Sequence, residues 1–118
     1  MMNEAAIRAY CLVKKGARED YPFGPDVTVY KTGSKIFLLV SNRNGGVKMS
    51  FKDHPHLNYE WRDQYSAVQP GYHLNKLHWN TLAIDGTVPD ADIQRMIDHS
   101  HEIVFRSLSR NAKRTESK

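Results

Sequence analysis

Residues 35–51 read Lys-Ile-Phe-Leu-Leu-Val-Ser-Asn-Arg-Asn-Gly-Gly-Val-Lys-Met-Ser-Phe, and this stretch predicts two antiparallel strands joined by a loop. Its first seven residues form an almost unbroken apolar run, which is typical of a central strand buried on both faces. The Asn- and Gly-rich segment 42–46 tolerates the left-handed backbone that hairpin loops need. In the last five residues apolar and polar side chains alternate, so Lys48 points away from the face that buries Met49. The hairpin therefore forms the centre of an antiparallel sheet.

Helices and further strands flank this hairpin on both sides. Apolar periodicity, capping residues and turn residues predict these elements: a helix over 3–15, an extended piece and turn over 19–26, a strand over 27–32, and, after the hairpin, a helix over 54–64, a polar turn over 69–71, a strand over 78–84 and a closing helix from Pro89. The closing helix carries an apolar stripe, made by Ile93, Met96, Ile97, Ser100, Val104 and Leu108. Hairpin-linked strands followed by helices predict an α+β fold, with N- and C-terminal helices packed against an antiparallel β-sheet.

The chain has the length and composition of one globular domain. It contains 118 residues, of which 40% are hydrophobic and 25% charged. We assign this domain to residues 1–108 and expect 109–118, with four basic residues and one acidic, to be a disordered tail. No apolar run reaches the roughly 18 residues of a membrane span, and the N-terminus lacks the apolar segment of a signal peptide. We therefore expect a cytoplasmic monomer without membrane contacts.

Basic and acidic residues are segregated along the chain. The net charge is +4, but the tail contributes +3, so residues 1–108 carry +1 from 13 basic and 12 acidic side chains. Within this part, residues 31–52 contain five basic residues and no acidic one, whereas residues 85–102 contain five acidic residues and one arginine. If the two segments lie on opposite faces, the basic face can steer towards phosphate despite the small net charge. The alternative is that the lysines protect exposed strand edges from aggregation.

Residues 69–82, Gln-Pro-Gly-Tyr-His-Leu-Asn-Lys-Leu-His-Trp-Asn-Thr-Leu, combine aromatic, amide, imidazole and basic side chains without any acidic one. Tyr72 and Trp79 offer flat faces for stacking, whereas Lys76 supplies a positive charge. The side chains that can both donate and accept hydrogen bonds are His73, Asn75, His78 and Asn80. Such a mixture suits contact with an anionic or aromatic partner. The alternative is a strand whose polar side faces water and whose tryptophan covers a sheet edge, and the pattern of 78–84 leaves open which side is exposed.

The motifs in and around this stretch resemble those of a known family. Tyr72-His73-Leu74-Asn75-Lys76 and His78-Trp79-Asn80-Thr81 look like the signature of the MmcQ/YjbR-like family of small bacterial proteins. Three further motifs match that family in the same order: Tyr21-Pro22-Phe23-Gly24-Pro25-Asp26, Lys48-Met49-Ser50-Phe51-Lys52 and Asp85-Gly86-Thr87-Val88-Pro89-Asp90. The resemblance covers about residues 4–108. It implies a frataxin-like (CyaY-like) α/β sandwich, which is described as a double-wing DNA-binding arrangement, and it therefore implies DNA binding.

The sequence contains no familiar catalytic or metal-binding pattern. It has no Gly-rich phosphate loop, no nucleophile elbow and no Ser/His/Asp arrangement. Of six histidines, His54 and His56 need remote ligands to complete a metal site, and His99 and His101 lie roughly 200° apart around a helix axis. The single cysteine, Cys11, lies on the apolar stripe of the first helix, which predicts a core position. We therefore predict a protein that is not an enzyme and that holds no metal or other cofactor.

Two functions fit these observations, and the first is DNA binding. In this interpretation lysines meet the phosphates, and amide, imidazole and indole side chains make closer contacts, in a groove of the duplex. The predicted contact residues are Arg43, Lys48, Lys52, His73, Asn75, Lys76, His78 and Trp79. The alternative is an adaptor that binds a protein or a small ligand through the Tyr72/Trp79 surface. The salt dependence of the affinity distinguishes the two functions, because binding to phosphates weakens steeply with ionic strength.

Overall fold

The computed structural model of the chain describes residues 2–110 and 113. Within this part of the chain, three α-helices accompany a six-stranded sheet: α1 (Glu4–Leu12), β1 (Ala17–Asp20), β2 (Val27–Thr32), β3 (Lys35–Ser41), β4 (Lys48–Lys52), α2 (Pro55–Gln64), β5 (Val68–Pro70), β6 (Trp79–Ala83) and α3 (Asp90–Arg106). The strand order is β1-β2-β3-β4-β6-β5, and every neighbouring pair is antiparallel. The predicted α+β class is confirmed, and β3 and β4 lie at the centre of the sheet.

The helices α1 and α3 pack against one face of the sheet, which we call the covered face. From α1, Ile7 and Cys11 are fully buried, as predicted for the cysteine. The predicted stripe of α3 is buried as well, and its residue Leu108 lies just beyond the helix. The sheet side of this core consists of Tyr30, Phe37, Leu38, Val40, Met49, Phe51 and Leu82. Since the core lies between the helices and this face, the opposite face, the open face, carries no helix-packed core.

A β-bulge in β3 decides which side chains reach the covered face. Tyr30 of β2 pairs with Leu38 and Lys31 pairs with Ile36, so Phe37 is the extra residue in the bulged strand. Phe37 and Leu38 follow each other in sequence, yet both are fully buried in the same core. The bulge therefore lets two successive large side chains enter the core, and strict alternation resumes towards the end of β3.

The register of β3, β4 and β6 fixes the composition of the open face. Asn80 and Leu82 of β6 are fully buried, which settles the orientation of this strand and leaves Trp79 and Thr81 on the open side. The Thr81 hydroxyl is 2.9 Å from that of Ser50 on β4. The open-face side chains of these three strands are Leu39, Ser41, Lys48, Ser50, Lys52, Trp79, Thr81 and Ala83. The expectation that Lys48 points away from the core is thus confirmed.

Several boundaries differ from the sequence-based expectation. The first helix ends at Leu12 rather than at residue 15. The predicted turn 69–71 begins as the edge strand β5, which tolerates Pro70 because an edge strand needs fewer backbone donors. The segment 17–20 pairs with β2 as a second short edge strand. Residues 71–78 form successive turns, and the strand predicted over 78–84 is β6, which runs from Trp79 to Ala83.

Two further expectations concern the C-terminal tail and the crossing of a membrane. The predicted disordered tail, 109–118, lies outside the described residues except for 109, 110 and 113. For the part that the structure describes, none of the helices combines the length and the apolar composition that crossing a membrane requires.

The hydroxyl group of Ser100 on α3 bridges the two central strands beside the bulge. It accepts a hydrogen bond of 2.8 Å from the backbone N–H of Lys52 on β4. It also donates a hydrogen bond to the carbonyl oxygen of Phe37, the bulged residue of β3. Both backbone groups lie where the strand ladder is interrupted, because the last β3–β4 pair at this end joins Leu38 and Phe51. The side chain of Ser100 therefore replaces a missing step of the ladder.

Replacing Ser100→Ala is expected to lower the free energy of unfolding by about 1–3 kcal/mol, because it leaves a buried donor and acceptor without partners. Urea denaturation followed by circular dichroism measures the change. Ser34→Ala, in the exposed turn between β2 and β3, is the matched control and should stay within about 0.5 kcal/mol. Equal stability of the two variants would show that water replaces the hydroxyl at no cost.

His101 is a buried histidine on α3 that lies between two aromatic rings. Its ring centroid is 5.0 Å from that of Phe37 and 5.6 Å from that of Phe105. Its Nε2–H donates a hydrogen bond of 2.8 Å to the carbonyl oxygen of Lys15. Burial lowers the pKa of His101, although the bond to the Lys15 carbonyl partly opposes this shift. The folded protein therefore favours the neutral imidazole.

The free energy of unfolding is expected to decrease as the pH falls below about 6.5, the ordinary pKa of histidine in the unfolded chain. The pKa of His101 is lower in the folded state, so its contribution is complete above that pH and is lost as the pH falls towards the folded value. Urea denaturation at pH 7.5 and 5.0 measures this loss. His101→Phe keeps an aromatic ring without a proton site, so its stability should change less between the two pH values. An equal change in both proteins would assign the acid sensitivity to other groups.

Candidate nucleic-acid interface

Two lysines and a tryptophan lie together on the open face because of strand geometry. Lys48 and Lys52 are four residues apart on β4, so both point to the same side. Lys52 pairs with Trp79 across β4 and β6, and its Nζ lies 6.0 Å from the indole ring centroid. This is the outer limit of a cation–π contact. The side chain of Lys48 is exposed, and its ammonium group makes no hydrogen bond or ion pair with another described residue.

The electrostatics of this face follow from the same register. None of the eight open-face positions of β3, β4 and β6 defined above holds an acidic residue. On β2, Lys31 faces the same side but is paired with Asp20 of β1 at 3.2 Å. The acidic segment 85–102 is mostly α3, which packs on the covered face. The two charged segments seen in the sequence are therefore largely on opposite sides, and Lys48 and Lys52 form the basic centre of the open one.

The loop 71–78 places four of the predicted contact residues next to this face, but two of them are used within the loop. The side-chain oxygen of Asn75 accepts hydrogen bonds from the backbone N–H groups of Leu77 and His78, at 3.0 and 3.2 Å. The Nζ of Lys76 donates to the carbonyl of Gly71 at 2.9 Å. These bonds close the loop on itself. In this conformation Asn75 and Lys76 hold the loop together rather than point to a partner.

Side chains from α2 and β6 brace the same loop from behind. Arg62 donates through Nε to the side-chain oxygen of Asn80 at 2.6 Å, and through Nη2 to the Lys76 carbonyl. Asn58 donates to the carbonyl of Leu77 at 3.0 Å, and its own side-chain oxygen accepts from Asn80 at 3.1 Å. Sequence patterns did not predict this bracing, because the helix over 54–64 was predicted from apolar periodicity and capping residues alone. The spacing of Asn58 and Arg62, four residues apart on one helix, was the available signal.

The three remaining predicted residues lie apart from the basic centre or make no side-chain contact with it. Arg43 lies in the β3–β4 connection, where its Nη2 is 3.4 Å from the carbonyl oxygen of Phe23. His73 is exposed, has a positive φ of 58° and packs its ring 4.0 Å from that of Tyr72. His78 is half-buried at the end of the loop. The structure thus brings together Lys48, Lys52 and Trp79 but not the complete predicted set.

A cleft of about 350 Å³ lies between α2 and α3, away from this face, and is lined by Asp53, His54, Leu57, His99, Glu102, Ile103 and Arg106. The buried carboxylate of Asp53 accepts hydrogen bonds from Trp61 Nε1 at 3.0 Å and from His54 N–H at 2.9 Å. It also lies 3.2 Å from His99 Nδ1. These partners satisfy the carboxylate and join α2 to α3.

The lining of this cleft contains no Ser, Thr or Cys that could act as a nucleophile. Among the described residues, no group of three or more His, Cys, Asp or Glu side chains is placed to hold a metal ion.

A second cleft, of about 370 Å³, opens on the open face next to Lys48. We call it the Lys48–Tyr72 cleft, and it is lined by Lys48, Ser66, Ala67, Gln69, Pro70, Tyr72, Thr81, Ala83 and Asp85. Tyr72 is 69% exposed, and its backbone N–H donates to the Thr81 hydroxyl at 3.0 Å. The cleft therefore combines a cation, an accessible aromatic ring and several hydrogen-bonding groups on a floor formed by strands.

Arg62→Met is expected to loosen the loop 71–78, because it removes a charged donor that joins the Lys76 carbonyl to the side chain of Asn80. The free energy of unfolding should fall by about 1–3 kcal/mol. Hydrogen exchange followed by NMR should show faster exchange at the backbone N–H of Trp79, which closes the loop on the carbonyl of Asn75. Arg95→Met on α3 is the control and should leave this exchange unchanged. Slow exchange at Trp79 in the Arg62 variant would mean that the loop closes without the bracing.

Comparison with known proteins relates the sequence to a described family. A family model described as YjbR matches residues 12–103. The protein YjbR of Escherichia coli K12 is 33% identical over 101 residues, which are 86% of each chain. The protein YbdF of Escherichia coli O157:H7 is 32% identical over 90 residues, which are 76% of this chain and 74% of YbdF. The names of these relatives state no activity.

Solved structures share the fold described above. Protein DR2400 of Deinococcus radiodurans, with a DUF419 domain, superposes with a TM-score of 0.89 at 28% sequence identity. The match covers 98% of this chain and 88% of that one. A protein from Pseudomonas syringae superposes with a TM-score of 0.76 at 25% identity, over 87% of this chain and 99% of its own.

Proposed function

The chain belongs to the YjbR family, as the motifs in its sequence indicate, and from the open face of its sheet we propose that it binds single-stranded DNA. Lys48 and Lys52 bind phosphates in this proposal, and Tyr72 and Trp79 provide aromatic surfaces for the bases. Aromatic side chains beside a row of cations are the usual means of binding single strands. The proposal keeps part of the predicted DNA-contacting set and leaves out Asn75 and Lys76, whose side chains close the loop 71–78.

The observation that carries this proposal is the placement of two lysines on a sheet face where the other positions of β3, β4 and β6 hold no acidic residue. Four residues on a strand correspond to about 13 Å, so Lys48 and Lys52 can contact two different phosphates of one DNA strand. Tyr72 and Trp79 flank this row on the side of β5 and β6. Bases that follow the lysine row would therefore meet rings on the same side of the strand.

Net charge alone does not favour this face over the tail. The ten residues 109–118 carry a charge of +3, and the other 108 residues carry +1. Any basic tail attracts nucleic acid without a defined site, so the contribution of the two lysines has to be separated from it. Neutralising two phosphates of a single strand changes the logarithm of the binding constant with a slope of about −1.4 against the logarithm of salt concentration.

Fluorescence anisotropy with a labelled 15-nucleotide single strand at 50 and 200 mM salt tests the proposal. Lys48→Gln/Lys52→Gln should reduce the steepness of the salt dependence of the binding constant by about 1.4. The loss of affinity between 50 and 200 mM salt should therefore be about sevenfold smaller than in the original chain. Lys15→Gln/Lys35→Gln removes the same charge, and Lys35 is bound to Ser107 rather than placed on the open face. A third variant replaces Arg110, Lys113, Arg114 and Lys118 by Gln.

Three results of these titrations would contradict the proposal. Equal effects of the two double variants, or binding lost only in the tail variant, would show that charge acts without a site and would reject the open face. A labelled duplex in the same titration identifies the preferred form of DNA. Tighter binding of the duplex would contradict the proposed single-stranded ligand.

A second candidate is an adaptor that binds a protein or a small ligand, and one observation favours it. Tyr72 and Leu77, both in the braced loop 71–78, are 69% and 49% exposed. Large apolar groups held outward by a fixed loop are typical of interaction sites. If no DNA binds at 50 mM salt, this candidate becomes the better one.

A further inference from the structure

We infer that the Lys48–Tyr72 cleft is a base-binding site that selects guanine from a single DNA strand. Tyr72 would stack on the base, and Asp85 would accept hydrogen bonds from its Watson–Crick edge. This inference rests on the proposed binding of single-stranded DNA and adds a base preference to it. Enzymes and binding proteins read unstacked bases by the same combination of stacking and edge recognition.

The position of the cleft is the first argument. It shares Lys48 with the row that contacts phosphates in the proposed function, so a base attached to a bound phosphate lies within reach of the cleft. The volume of about 370 Å³ is in the range of small-molecule pockets, and it exceeds the size of one base. A strand that runs along Lys48 and Lys52 could thus turn one base into this space.

Tyr72 is fixed at the rim of the cleft by its neighbours. Its backbone N–H is bonded to the Thr81 hydroxyl at 3.0 Å, and its ring packs against His73. Gly71, just before it, is buried, and a Cβ atom at this position would lie 2.8 Å from the Cβ of Trp79. The chain therefore runs close to β6 here, which needs glycine. Because the backbone is held in this way, the exposed tyrosine ring is positioned for stacking before a ligand arrives.

Asp85 supplies an oriented carboxylate on the same cleft. One oxygen, Oδ1, accepts hydrogen bonds from the backbone N–H and the hydroxyl of Thr87, at 3.0 and 2.6 Å. These bonds lower the pKa of Asp85 and keep it ionised at neutral pH. The other oxygen, Oδ2, has no hydrogen-bond partner among the described residues. It can only accept hydrogen bonds, so it favours a ligand that presents N–H groups.

Gln69 adds a second acceptor to the cleft. Its side-chain nitrogen donates to the carbonyl of Ser66 at 2.9 Å, which leaves the side-chain oxygen for a ligand. The acceptors that can face a base are thus Asp85 Oδ2 and the side-chain oxygen of Gln69. They lie beside the Lys48 ammonium group and the Ser66 hydroxyl, which can donate.

This pattern of acceptors matches guanine better than the other bases. The Watson–Crick edge of guanine presents the N1–H and N2–H₂ donors side by side. Asp85 Oδ2 has two lone pairs and can accept from both donors while Oδ1 stays bonded to Thr87. Adenine, cytosine and thymine each place an acceptor beside their donor on this edge, and the acceptor would repel the carboxylate. The Asp85 carboxylate thus discriminates through both an attractive and a repulsive contact.

The test uses the full chain and four labelled 15-nucleotide strands, oligo(dT) and the same strand with a central dG, dA or dC. Anisotropy at one salt concentration should show the dG strand binding about tenfold more tightly than the others. Asp85→Asn should remove this preference, because the amide can present a donor to guanine N1–H. It should not weaken oligo(dT), since it removes a negative charge near Lys48. Asp63→Asn, on the exposed part of α2, is the matched control and should keep the preference.

Tyr72→Leu separates stacking from edge recognition. This variant should weaken the dG strand more than oligo(dT), because a base in the cleft loses its stacking partner. If all four strands bind equally, and Asp85→Asn changes their affinities by one common factor, the guanine site is overturned while the proposed DNA binding stands. If none of the strands binds, both the proposed function and this inference are overturned.

Discussion

The hydroxyl of Ser100 lies at the point on which the arrangement of the sheet depends. It accepts a hydrogen bond from the backbone N–H of Lys52 and donates one to the carbonyl oxygen of Phe37. Both groups lie where the β3–β4 ladder stops at the bulge. The bulge lets Phe37 and Leu38 enter the core together. It also determines to which face of the sheet each later side chain of β3 points. A shift by one residue would move the core side chains to water and the lysines of β4 into the core. The open face exists as described because that shift is blocked by packing and by this bridge.

A second constraint is the requirement that buried polar groups find partners. None of the described buried side-chain nitrogen or oxygen atoms lacks a hydrogen bond. Asn58, Asn80 and Arg62 satisfy one another and use the remaining capacity on backbone carbonyls of the loop 71–78. A loop held by many bonds of this kind behaves as a rigid support, since each bond would have to break for the loop to move. In the proposed function, the exposed ring of Tyr72 and the half-buried ring of Trp79 gain from this rigidity, because less conformational entropy is lost on binding.

The parts of the fold that sequence reasoning found have strong local patterns. The stripe of α3 repeats at the helical period, and the hairpin 35–51 changes from a continuous apolar run to alternation. The edge strands β1 and β5 have only four and three residues, which is too short for a periodic pattern that would indicate their pairing with β2 and β6. At the site, the alternation of residues 47–51 fixed the side of Lys48, whereas the pattern of residues 78–84 left the side of Trp79 open. Asn75 and Lys76 looked like contact residues because their bonds to nearby backbone groups depend on the path of the loop, which local patterns do not specify.

In the proposed function, the distribution of charge determines how a chain that is nearly neutral outside residues 109–118 would discriminate among DNA strands. With only +1 outside the tail, long-range attraction is weak, so affinity has to come from groups in contact. The strand positions around the two lysines of β4 hold no acidic residue, but one carboxylate, that of Asp85, lies in the cleft beside Lys48. An acidic group near a phosphate site reduces affinity for every strand and can be compensated only by a base that donates hydrogen bonds to it. Placing a repulsive group where just one ligand can neutralise it is a general way to obtain specificity from a small surface.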